Sequence, residues 1–210
     1  MKNLVIIGSG SYGREIYHLA QGCKGYDTEF IVKGYIDNLY TEVGFDGYPP
    51  IIGRLDDYIP QEDDVFVCAI MDVDVKKKYV ESILNRGGKF INLIHHTVSI
   101  WGTPQIGVGC IICNNVQISC EVVIGDFVTI QSLSLLGHDV VIGDYCHLNA
   151  QTFYGGKVIV GEQATVNTGA IIHPGVKIGA HSVIGAGSVV LRNVKENVTM
   201  FGNPAKVLNI

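Results

Sequence analysis

Seven histidines in this 210-residue sequence are its first candidates for acid–base chemistry, because histidine is the side chain whose ordinary pKa lies nearest neutrality. Five fall on a predicted helix, at a predicted domain junction or at corners of later repeats; they are His18, His95, His96, His173 and His181. His138 and His147 remain. His138 is followed directly by Asp139, and a carboxylate next to an imidazole can orient the ring and stabilise its protonated form.

A second candidate site is the G-x-G-x-x-G pattern of Gly8, Gly10 and Gly13, which follows a strand-like run and precedes a helical stretch. Such a turn points backbone N–H groups and a helix N-terminus at a phosphate. The next predicted strand, residues 30–36, ends at Asp37, where a carboxylate can accept from a ribose hydroxyl. The pattern predicts a nucleotide-binding turn, with the alternative that the glycines only make a tight strand-to-helix turn.

The segment that carries this turn is short. Up to about residue 92 it holds two βα units and one further strand, which is too little for a complete dinucleotide-binding fold. We therefore expect a small Rossmann-like α/β domain over residues 1–92 and no bound NAD.

Composition excludes several classes of protein. The formal net charge is -5, and the longest basic run is Lys76–Lys78, so we expect no nucleic-acid partner. No stretch approaches the apolar length of a membrane span, and the first residues run directly into a strand without a signal-peptide pattern. The sequence predicts a cytoplasmic protein that does not insert into membranes.

Six cysteines are scattered along the chain, and one pair has C-x-x-C spacing, Cys110 and Cys113. That pair lacks the second pair or the histidine partner that a zinc site needs. Cysteines also occupy repeat positions that require a small apolar side chain, which favours a packing role for them over metal binding. We expect no metal.

A six-residue period dominates the second half of the chain. An aliphatic residue recurs at every sixth position from Ile94 to Val190, with Tyr154 as the one exception, and glycine often follows it. This period fits a short strand plus a corner, three of which close one coil of a triangular prism. About six coils are predicted, each stabilised by stacking on the next.

The period also places the candidate residues. His138 takes the third position of its repeat, where a coil corner presents a side chain outward. Residues 18 apart become neighbours in adjacent coils, so Gln131, Asn149 and Asn167 should form a column of stacked amides.

The repeat array resembles the hexapeptide-repeat acyltransferases, and the whole chain resembles the sialic acid and bacillosamine acetyltransferase family (NeuD/PglD type). Three segments carry this resemblance, namely Leu4–Gly13, Gly137–His147 and Gly202–Lys206. It implies a Rossmann-like domain followed by a left-handed parallel β-helix over residues 93–210, with a C-terminal extension.

The resemblance also implies a function: transfer of acetyl from acetyl-CoA to the amino group of a nucleotide-linked amino sugar for surface glycans, by a cytoplasmic homotrimer. His138 matches the family's general base, and Asp139 its orienting acid. The positions that match its acetyl-CoA contacts are His147, Gly156, Thr168 and Ala186. Those that match its acceptor contacts are Gly10, Ser11, Tyr12, Asp37 and Asn38.

Three alternatives stay open. The first is O-acetylation of sialic acid or another hydroxyl acceptor, and the second is a non-catalytic binding protein, since repeats alone specify shape. The third is a zinc enzyme of the β-helix carbonic anhydrase kind, with His138 and His147 as ligands. It needs a further histidine in register, but the stacking neighbours of His138 are Cys120 and Gly156.

Overall fold

The structure of the protein is a computed structural model that describes residues 1–208. The chain divides into two compact units, Met1–His96 and Thr97–Ile210. The division between the units thus lies after His96. The sequence pattern had predicted the domain boundary after residue 92.

The first unit is an α/β domain. Its elements, in chain order, are β1 (Lys2–Ile7), α1 (Ser11–Gln21), β2 (Phe30–Ile36), β3 (Ile51–Gly53), β4 (Asp64–Cys68), α2 (Val73–Leu84), β5 (Lys89–Phe90) and β6 (Leu93–Ile94). Strands β1 to β5 form one parallel sheet in the order β3-β2-β1-β4-β5. The continuous apolar run Leu4–Ile7 is fully buried in the centre of this sheet, as expected for a parallel strand covered on both faces.

The order of the strands determines where a ligand can bind. The chain first moves outward from β1 through β2 to β3, and then continues on the other side of β1 with β4 and β5. Open parallel sheets bind ligands at the carboxyl ends of the strands, where the order reverses. In this unit that point lies between the ends of β1 and β4, which are Ile7 and Cys68.

The second unit is a parallel β-solenoid whose strands have two residues each, except for the three-residue β23. Its strands are β7 (Ser99–Ile100), β8 (Gln105–Ile106), β9 (Ile111–Ile112), β10 (Gln117–Ile118), β11 (Val123–Ile124), β12 (Thr129–Ile130), β13 (Leu135–Leu136), β14 (Val141–Ile142), β15 (His147–Leu148), β16 (Phe153–Tyr154), β17 (Ile159–Val160), β18 (Thr165–Val166), β19 (Ile171–Ile172), β20 (Lys177–Ile178), β21 (Val183–Ile184), β22 (Val189–Val190), β23 (Thr199–Phe201) and β24 (Lys206–Val207).

Every third strand belongs to the same face of this prism. The first face holds β7, β10, β13, β16, β19 and β22, and the second holds β8, β11, β14, β17 and β20. The third face includes β9, β12, β15, β18 and β21, followed by the terminal hairpin of β23 and β24. Residues 18 apart pair along each face, as Leu135 with Phe153 and Val141 with Ile159 show.

The column of aliphatic residues that defines the repeat fills the prism interior. Leu136, Tyr154 and Ile172 are each fully buried, one above the other on the first face. At most corners one non-glycine residue has a positive φ, for example Asp139 at 58° and Lys157 at 62°. This left-handed conformation turns the chain sharply enough for a strand of two residues to meet the next face.

No helix among residues 1–208 is long and apolar enough to cross a membrane.

Candidate functional site

His138 and Asp139 lie at the corner between β13 on the first face and β14 on the second face. The Nδ1 atom of His138 lies 2.7 Å from Oδ2 of Asp139. Both side chains are about half exposed, at 56% and 47%. A carboxylate at Nδ1 favours the tautomer that carries its proton there, which leaves the lone pair of Nε2 available as a base.

Contacts with the neighbouring coils anchor this corner. The N–H of Asp139 donates to the carbonyl of Cys120 (3.1 Å), and the carbonyl of His138 accepts from the N–H of Lys157 (2.8 Å). Asp139 has a φ of 58°, a conformation that aspartate and asparagine tolerate better than most residues. The backbone of the pair is therefore fixed from both sides.

The imidazole of His138 lies against Gly156, its neighbour one coil further along the prism. A methyl group at Gly156 would overlap the ring, with Cε1 at 2.6 Å and Cδ2 at 2.9 Å and Nε2 closer still. Within residues 1–208 the N–H of Gly156 donates to no protein acceptor. The corner thus brings together a basic nitrogen and a backbone donor.

His147 lies in a different environment. It belongs to β15 on the third face and is only 1% exposed, with Nε2 3.3 Å from Nε2 of Gln131. Gln131 therefore reaches His147, whereas Asn149 donates to Asn167 (3.3 Å) in the predicted amide column. The contact of His147 with acetyl-CoA stays a prediction, and its burial restricts how a ligand can approach it.

The other predicted acetyl-CoA residues divide between two corners. Gly156 lies beside His138, whereas Thr168 and Ala186 are exposed neighbours at the corner between the third and first faces. The N–H of Gly187 donates to the carbonyl of Thr168 (2.9 Å), which fixes the stacking of those two coils. One chain thus presents the three predicted residues on both sides of its first face.

A cavity of about 250 Å³ lies in the first unit, at the carboxyl ends of β1 and β4. Its walls include four of the five predicted acceptor residues, Gly10, Ser11, Tyr12 and Asp37. Asn38 does not line the cavity; it exchanges two hydrogen bonds with Asp56, at 3.1 and 3.2 Å.

The three glycines of the turn have separate structural roles. Gly8 has a φ of 95°, and a methyl group there would lie 2.8 Å from Ile70 Cδ1. A methyl group at Gly13 would overlap the carbonyl of Gly8, so this glycine lets α1 pack against the end of β1. A methyl group at Gly10 would meet no protein atom within 4 Å. Gly10 therefore leaves space beside the backbone, as a close approach by a phosphate requires.

Asp37 organises the turn from the end of β2. Its Oδ2 accepts from the backbone N–H (2.7 Å) and the hydroxyl (2.8 Å) of Ser9, and its Oδ1 accepts from the N–H groups of Leu39 (2.7 Å) and Tyr40 (3.2 Å). These four bonds use the accepting capacity of the carboxylate. Asp37 thus holds both walls of the cavity in place, and Ser9 is a partner that sequence reasoning did not identify.

The two helices that begin at this sheet edge differ as anion sites. Asp72 caps α2 by accepting from the N–H groups of Asp74 and Val75, and Asp74 adds a second negative charge in the first turn. At α1 the N-cap is Gly10, without a side-chain cap or an acidic residue in the first turn. The helix dipole and the N–H groups of α1 therefore favour an anion in the cavity.

Exposed apolar side chains flank the same cavity. Leu39 and Tyr40 follow β2, Met71 precedes α2, and their exposed fractions are 82%, 54% and 52%. Large apolar groups at the mouth of a cavity suit the flat face of a nucleobase. The signal for Leu39 and Tyr40 in the sequence was their position as a pair directly after Asn38.

Among residues 1–208, no group of three or more His, Cys, Asp or Glu side chains is arranged to hold a metal ion.

Comparison with known families assigns both units. Residues 3–83 match the PglD N-terminal domain, and residues 157–192 match the bacterial transferase hexapeptide (six repeats). These matches confirm the predicted resemblance and the predicted fold, an α/β domain followed by a left-handed parallel β-helix. Among curated proteins, none matches the chain.

Solved structures resemble the chain over its whole length. PerB from Caulobacter crescentus, in complex with CoA and GDP-perosamine, is 29% identical with a TM-score of 0.89, covering 100% of this chain and 98% of that one. WeeI from Acinetobacter baumannii is 26% identical with a TM-score of 0.89, covering 99% and 100%. The acetyltransferase domain of PglB from Neisseria gonorrhoeae, at 24% identity and a TM-score of 0.89, covers 99% and 100% and shares the fold.

Proposed function

Because the chain joins a PglD N-terminal domain to bacterial transferase hexapeptide repeats, we propose that it transfers acetyl from acetyl-CoA to the amino group of a nucleotide-linked amino sugar. The observation that carries this proposal is the corner of the prism where Asp139 binds Nδ1 of His138. That arrangement supplies an exposed general base of the kind that amine acylation requires.

In the proposed reaction His138 accepts a proton at Nε2 from the attacking amine. The amine nitrogen forms a bond to the thioester carbonyl carbon, and the carbon–sulfur bond then breaks to release CoA as a thiolate. We assign to the N–H of Gly156, which donates to no acceptor within residues 1–208 and neighbours the His138 ring, the role of donating to the carbonyl oxygen as negative charge develops on it. Asp139 stabilises the imidazolium, which returns the proton to the leaving sulfur. No acyl-enzyme is needed, so Cys120 and Cys146 have no role as nucleophiles.

The acceptor's nucleotide is assigned to the cavity of the first unit. The uncapped N-terminus of α1 suits the diphosphate, Gly10 gives it room, and Tyr40 and Met71 suit the base. PerB, which has the same fold and 29% identity, is described in complex with GDP-perosamine, an amino sugar linked to a nucleotide. We assign Asp37 to organising this cavity, because its four hydrogen bonds already engage it within the protein.

A homotrimer is the proposed assembly. Apolar side chains stack on the outside of both faces that meet at His138. On the first face they are Leu135, Phe153, Ile171 and Val189, and on the second they are Val123, Val141 and Ile159. Phe153 and Ile171 are 41% and 45% exposed. Packing against two further copies would bury both stripes and enclose the catalytic corner.

Sedimentation tests the assembly. We expect the wild-type protein to sediment as a trimer and the Ile171→Asp variant to dissociate, with loss of activity because the corner opens to water. A monomeric, active wild-type protein would disprove the trimer.

We assign the reaction to the cytoplasm, as a step in surface polysaccharide synthesis. Support comes from the cysteines, which form no disulfide within the described chain although six are present, as in a reducing compartment.

An acceptor panel tests the proposed activity. CoA release is followed with UDP-, dTDP- and GDP-linked 4-amino sugars, with free sialic acid as the hydroxyl acceptor. We expect turnover with at least one amino sugar and a decrease in kcat of about 10²- to 10⁴-fold in His138→Ala, the usual contribution of a general base. Turnover with sialic acid alone, or full activity of His138→Ala, would overturn the proposal.

A further inference from the structure

The one tryptophan of the chain lies at the corner of the prism that carries His138. Trp101 is 59% exposed. It directly follows β7, and Gly137 directly follows β13, two coils further along the same corner. The indole is held in place, because its Nε1 donates to the hydroxyl of Ser99 (3.1 Å) and the backbone N–H of Trp101 donates to the carbonyl of Ile118 (2.9 Å). A large, fixed aromatic group is therefore presented to solvent on the proposed catalytic corner.

The proposed trimer does not account for the exposure of this tryptophan. The outward residues beside Trp101 on the first face are Ser99 and Gln117, which are both polar, and the apolar stripe begins at Leu135. Trp101 thus lies two coils outside the stripe that would pack between copies. Its indole is left for a ligand.

Short residues separate Trp101 from His138. The coil of Trp101 continues with Gly102, and the coil between the two carries Ser119 and Cys120 at this corner. We define the shelf as Gly102, Ser119 and Cys120. The ring of His138 leans over the next coil, away from these residues. The shelf therefore runs from an aromatic group to the base without a bulky residue on its floor.

The length of the shelf fits a sugar ring. Neighbouring coils are about 4.8 Å apart and Nε2 of His138 lies over Gly156, so this nitrogen is between two and three coils from Trp101, about 10–14 Å. A sugar ring, a stacking contact with the indole and a hydrogen bond from its amine to Nε2 together span about 13 Å. The C–H bonds on one face of a pyranose suit the negative face of an aromatic ring. A pyranose stacked on Trp101 can therefore bring its amino group to His138.

A free carboxylate gives the shelf a preference for amines. Glu121 is exposed at the same corner, one coil before Asp139, and both residues have a positive φ, at 57° and 58°. Within residues 1–208 the side chain of Glu121 forms no hydrogen bond or ion pair. Two carboxylates beside the shelf attract the ammonium form of an amino sugar and repel an acidic sugar.

From this arrangement we propose that Trp101 determines acceptor specificity, by stacking on the sugar ring while Glu121 attracts the amine. The proposal rests on the proposed function, since it takes a nucleotide-linked amino sugar as the acceptor. It assigns selection of the sugar ring to the prism, separately from the nucleotide, which is assigned to the cavity of the first unit.

Tryptophan fluorescence tests the stacking directly, because Trp101 is the only source of tryptophan emission in the chain. The wild type is titrated, without acetyl-CoA, with UDP-, dTDP- and GDP-linked 4-amino sugars and with the matching nucleoside diphosphates. We expect the emission to change with an amino sugar and not with its nucleoside diphosphate, and the Kd to agree with calorimetry. An equal change with the nucleoside diphosphate, or no change while calorimetry records binding of the sugar, would overturn the proposal.

Kinetics of Trp101 variants measure what the stacking contributes. Trp101→Ala should raise KM for the acceptor roughly tenfold, the effect of losing a stacked aromatic ring, with kcat and KM for acetyl-CoA unchanged. Trp101→Phe should lie between the two, because it keeps a smaller aromatic face. Leu133→Ala is the matched control, since Leu133 is 55% exposed but lies at the corner between the third and first faces. An equal rise in Leu133→Ala, or an equal rise of both KM values in Trp101→Ala, would contradict a stacking role.

Glu121→Gln tests the attraction of the amine. It should raise KM for the amino sugar about two- to fivefold at low salt, with a smaller effect at high salt, because the carboxylate is exposed and screened. Glu162→Gln is the control, since Glu162 is an exposed acid at the corner between the second and third faces. A rise that is independent of salt, or equal in Glu162→Gln, would remove Glu121 from the proposal.

The fluorescence and transfer measurements together separate this inference from the proposed function. If an amino sugar changes the emission but receives no acetyl group, the stacking stands and the proposed reaction fails. If an amino sugar is acetylated while the emission and the acceptor KM of Trp101→Ala stay unchanged, only the stacking fails. If no amino sugar binds, both fail.

Discussion

The imidazole of His138 lies on the Cα of Gly156, one coil further along the prism, with no space between them for a methyl group. Asp139 holds the opposite side of the ring through Nδ1. The direction of Nε2 is therefore set by two neighbours, one along the chain and one across the coils. Such control matters because a base displaced by about 1 Å can lose about 10²-fold in rate.

Gly156→Ala should displace the imidazole without unfolding the prism. We expect kcat to fall by about 10- to 100-fold, because the added methyl group occupies the place of the ring and turns Nε2 away from the thioester. Steady-state kinetics measures this, and thermal unfolding checks that the fold is retained.

The His138→Ala background is the control for this prediction. Without the ring, the methyl group has nothing to displace, so the double variant should be about as active as His138→Ala alone. Additive losses in the double variant would contradict a positioning role and would favour a direct role for the Gly156 backbone.

Asp139→Asn tests how the tautomer of His138 is held. Asparagine tolerates the φ of 58° at this position, so the backbone is preserved while the charge is lost. Its amide can donate to Nδ1, which moves the ring proton to Nε2 and removes the base. We expect kcat to fall by about 10²-fold or more, as for other bases held in the wrong tautomer. If kcat changed less than about twofold, Asp139 would have only a backbone role.

Much of this architecture follows from the sequence, because the interactions that stabilise it involve residues close in the chain and recur in every repeat. The aliphatic column predicted the strands of the prism, and the 18-residue register predicted that Gly156 and Cys120 would flank His138. The predicted strand over residues 30–36 matches β2, whereas the sequence did not mark Ser11 as the first residue of α1. A helix that starts directly after a glycine turn lacks the side-chain cap that would mark its first residue.

The parts that could not be predicted depend on side-chain direction. A six-residue period gives the corner of His138 but not whether its ring leans toward Cys120 or Gly156. The period predicts that Gln131 lies in the amide column. It does not predict that the Gln131 side chain contacts His147 and not Asn149. Likewise, the spacing of Asp37 predicts a contact with a ribose, which stays a prediction. It does not predict the four hydrogen bonds that Asp37 accepts within the protein, which depend on how the turn at Ser9 folds back.

Cys120 should be the thiol that reacts first with a water-soluble alkylating reagent. It is the exposed cysteine, whereas the other five are buried, and burial raises the pKa of Cys68 to about 12. Cys120 neighbours the proposed catalytic corner, since its carbonyl accepts from the N–H of Asp139, so alkylation should inactivate the protein.

Peptide mass spectrometry measures the alkylation of Cys120, and assays of residual activity measure the inactivation that accompanies it. Cys120→Ser should be active and resistant to the reagent. Inactivation of Cys120→Ser at the wild-type rate would show that another thiol is responsible.

Two variants distinguish the roles of the glycines in the turn. Gly10→Ala tests whether Gly10 leaves space for the ligand, and Gly13→Ala tests whether Gly13 is needed for packing. The methyl group at Gly10 meets no protein atom, so this variant should keep its thermal stability and raise KM for the nucleotide sugar, because the diphosphate loses its close approach. The methyl group at Gly13 overlaps the carbonyl of Gly8, so this variant should lose roughly 1–3 kcal/mol of stability. Equal acceptor KM in Gly10→Ala and wild type would place the phosphate elsewhere.

The buried carboxylate of Asp64 should make the first unit sensitive to acid. Burial alone would raise the pKa of Asp64, but hydrogen bonds from Lys33 (2.7 Å), the N–H of Gln61 (3.0 Å) and Tyr58 (2.7 Å) outweigh it and hold the pKa below its usual value. A depressed pKa contributes stability that is present above about pH 4 and is lost as the pH falls through the folded-state value. Asp64→Asn should therefore cost about 2–4 kcal/mol at pH 7, because it leaves Lys33 without its charge partner.

Urea unfolding as a function of pH measures this effect. The stability difference between wild type and Asp64→Asn should shrink as the pH falls below about 4, because the Asp64 carboxylate of the unfolded chain takes up a proton there before that of the folded protein does. Asp63→Asn is the matched control: its ion pair with Lys2 has the same kind of charges at 2.8 Å but is exposed, so water screens it and the unfolding midpoint should stay unchanged. If the Asp64 difference stayed constant down to pH 3, the network would act through packing and not through its charge.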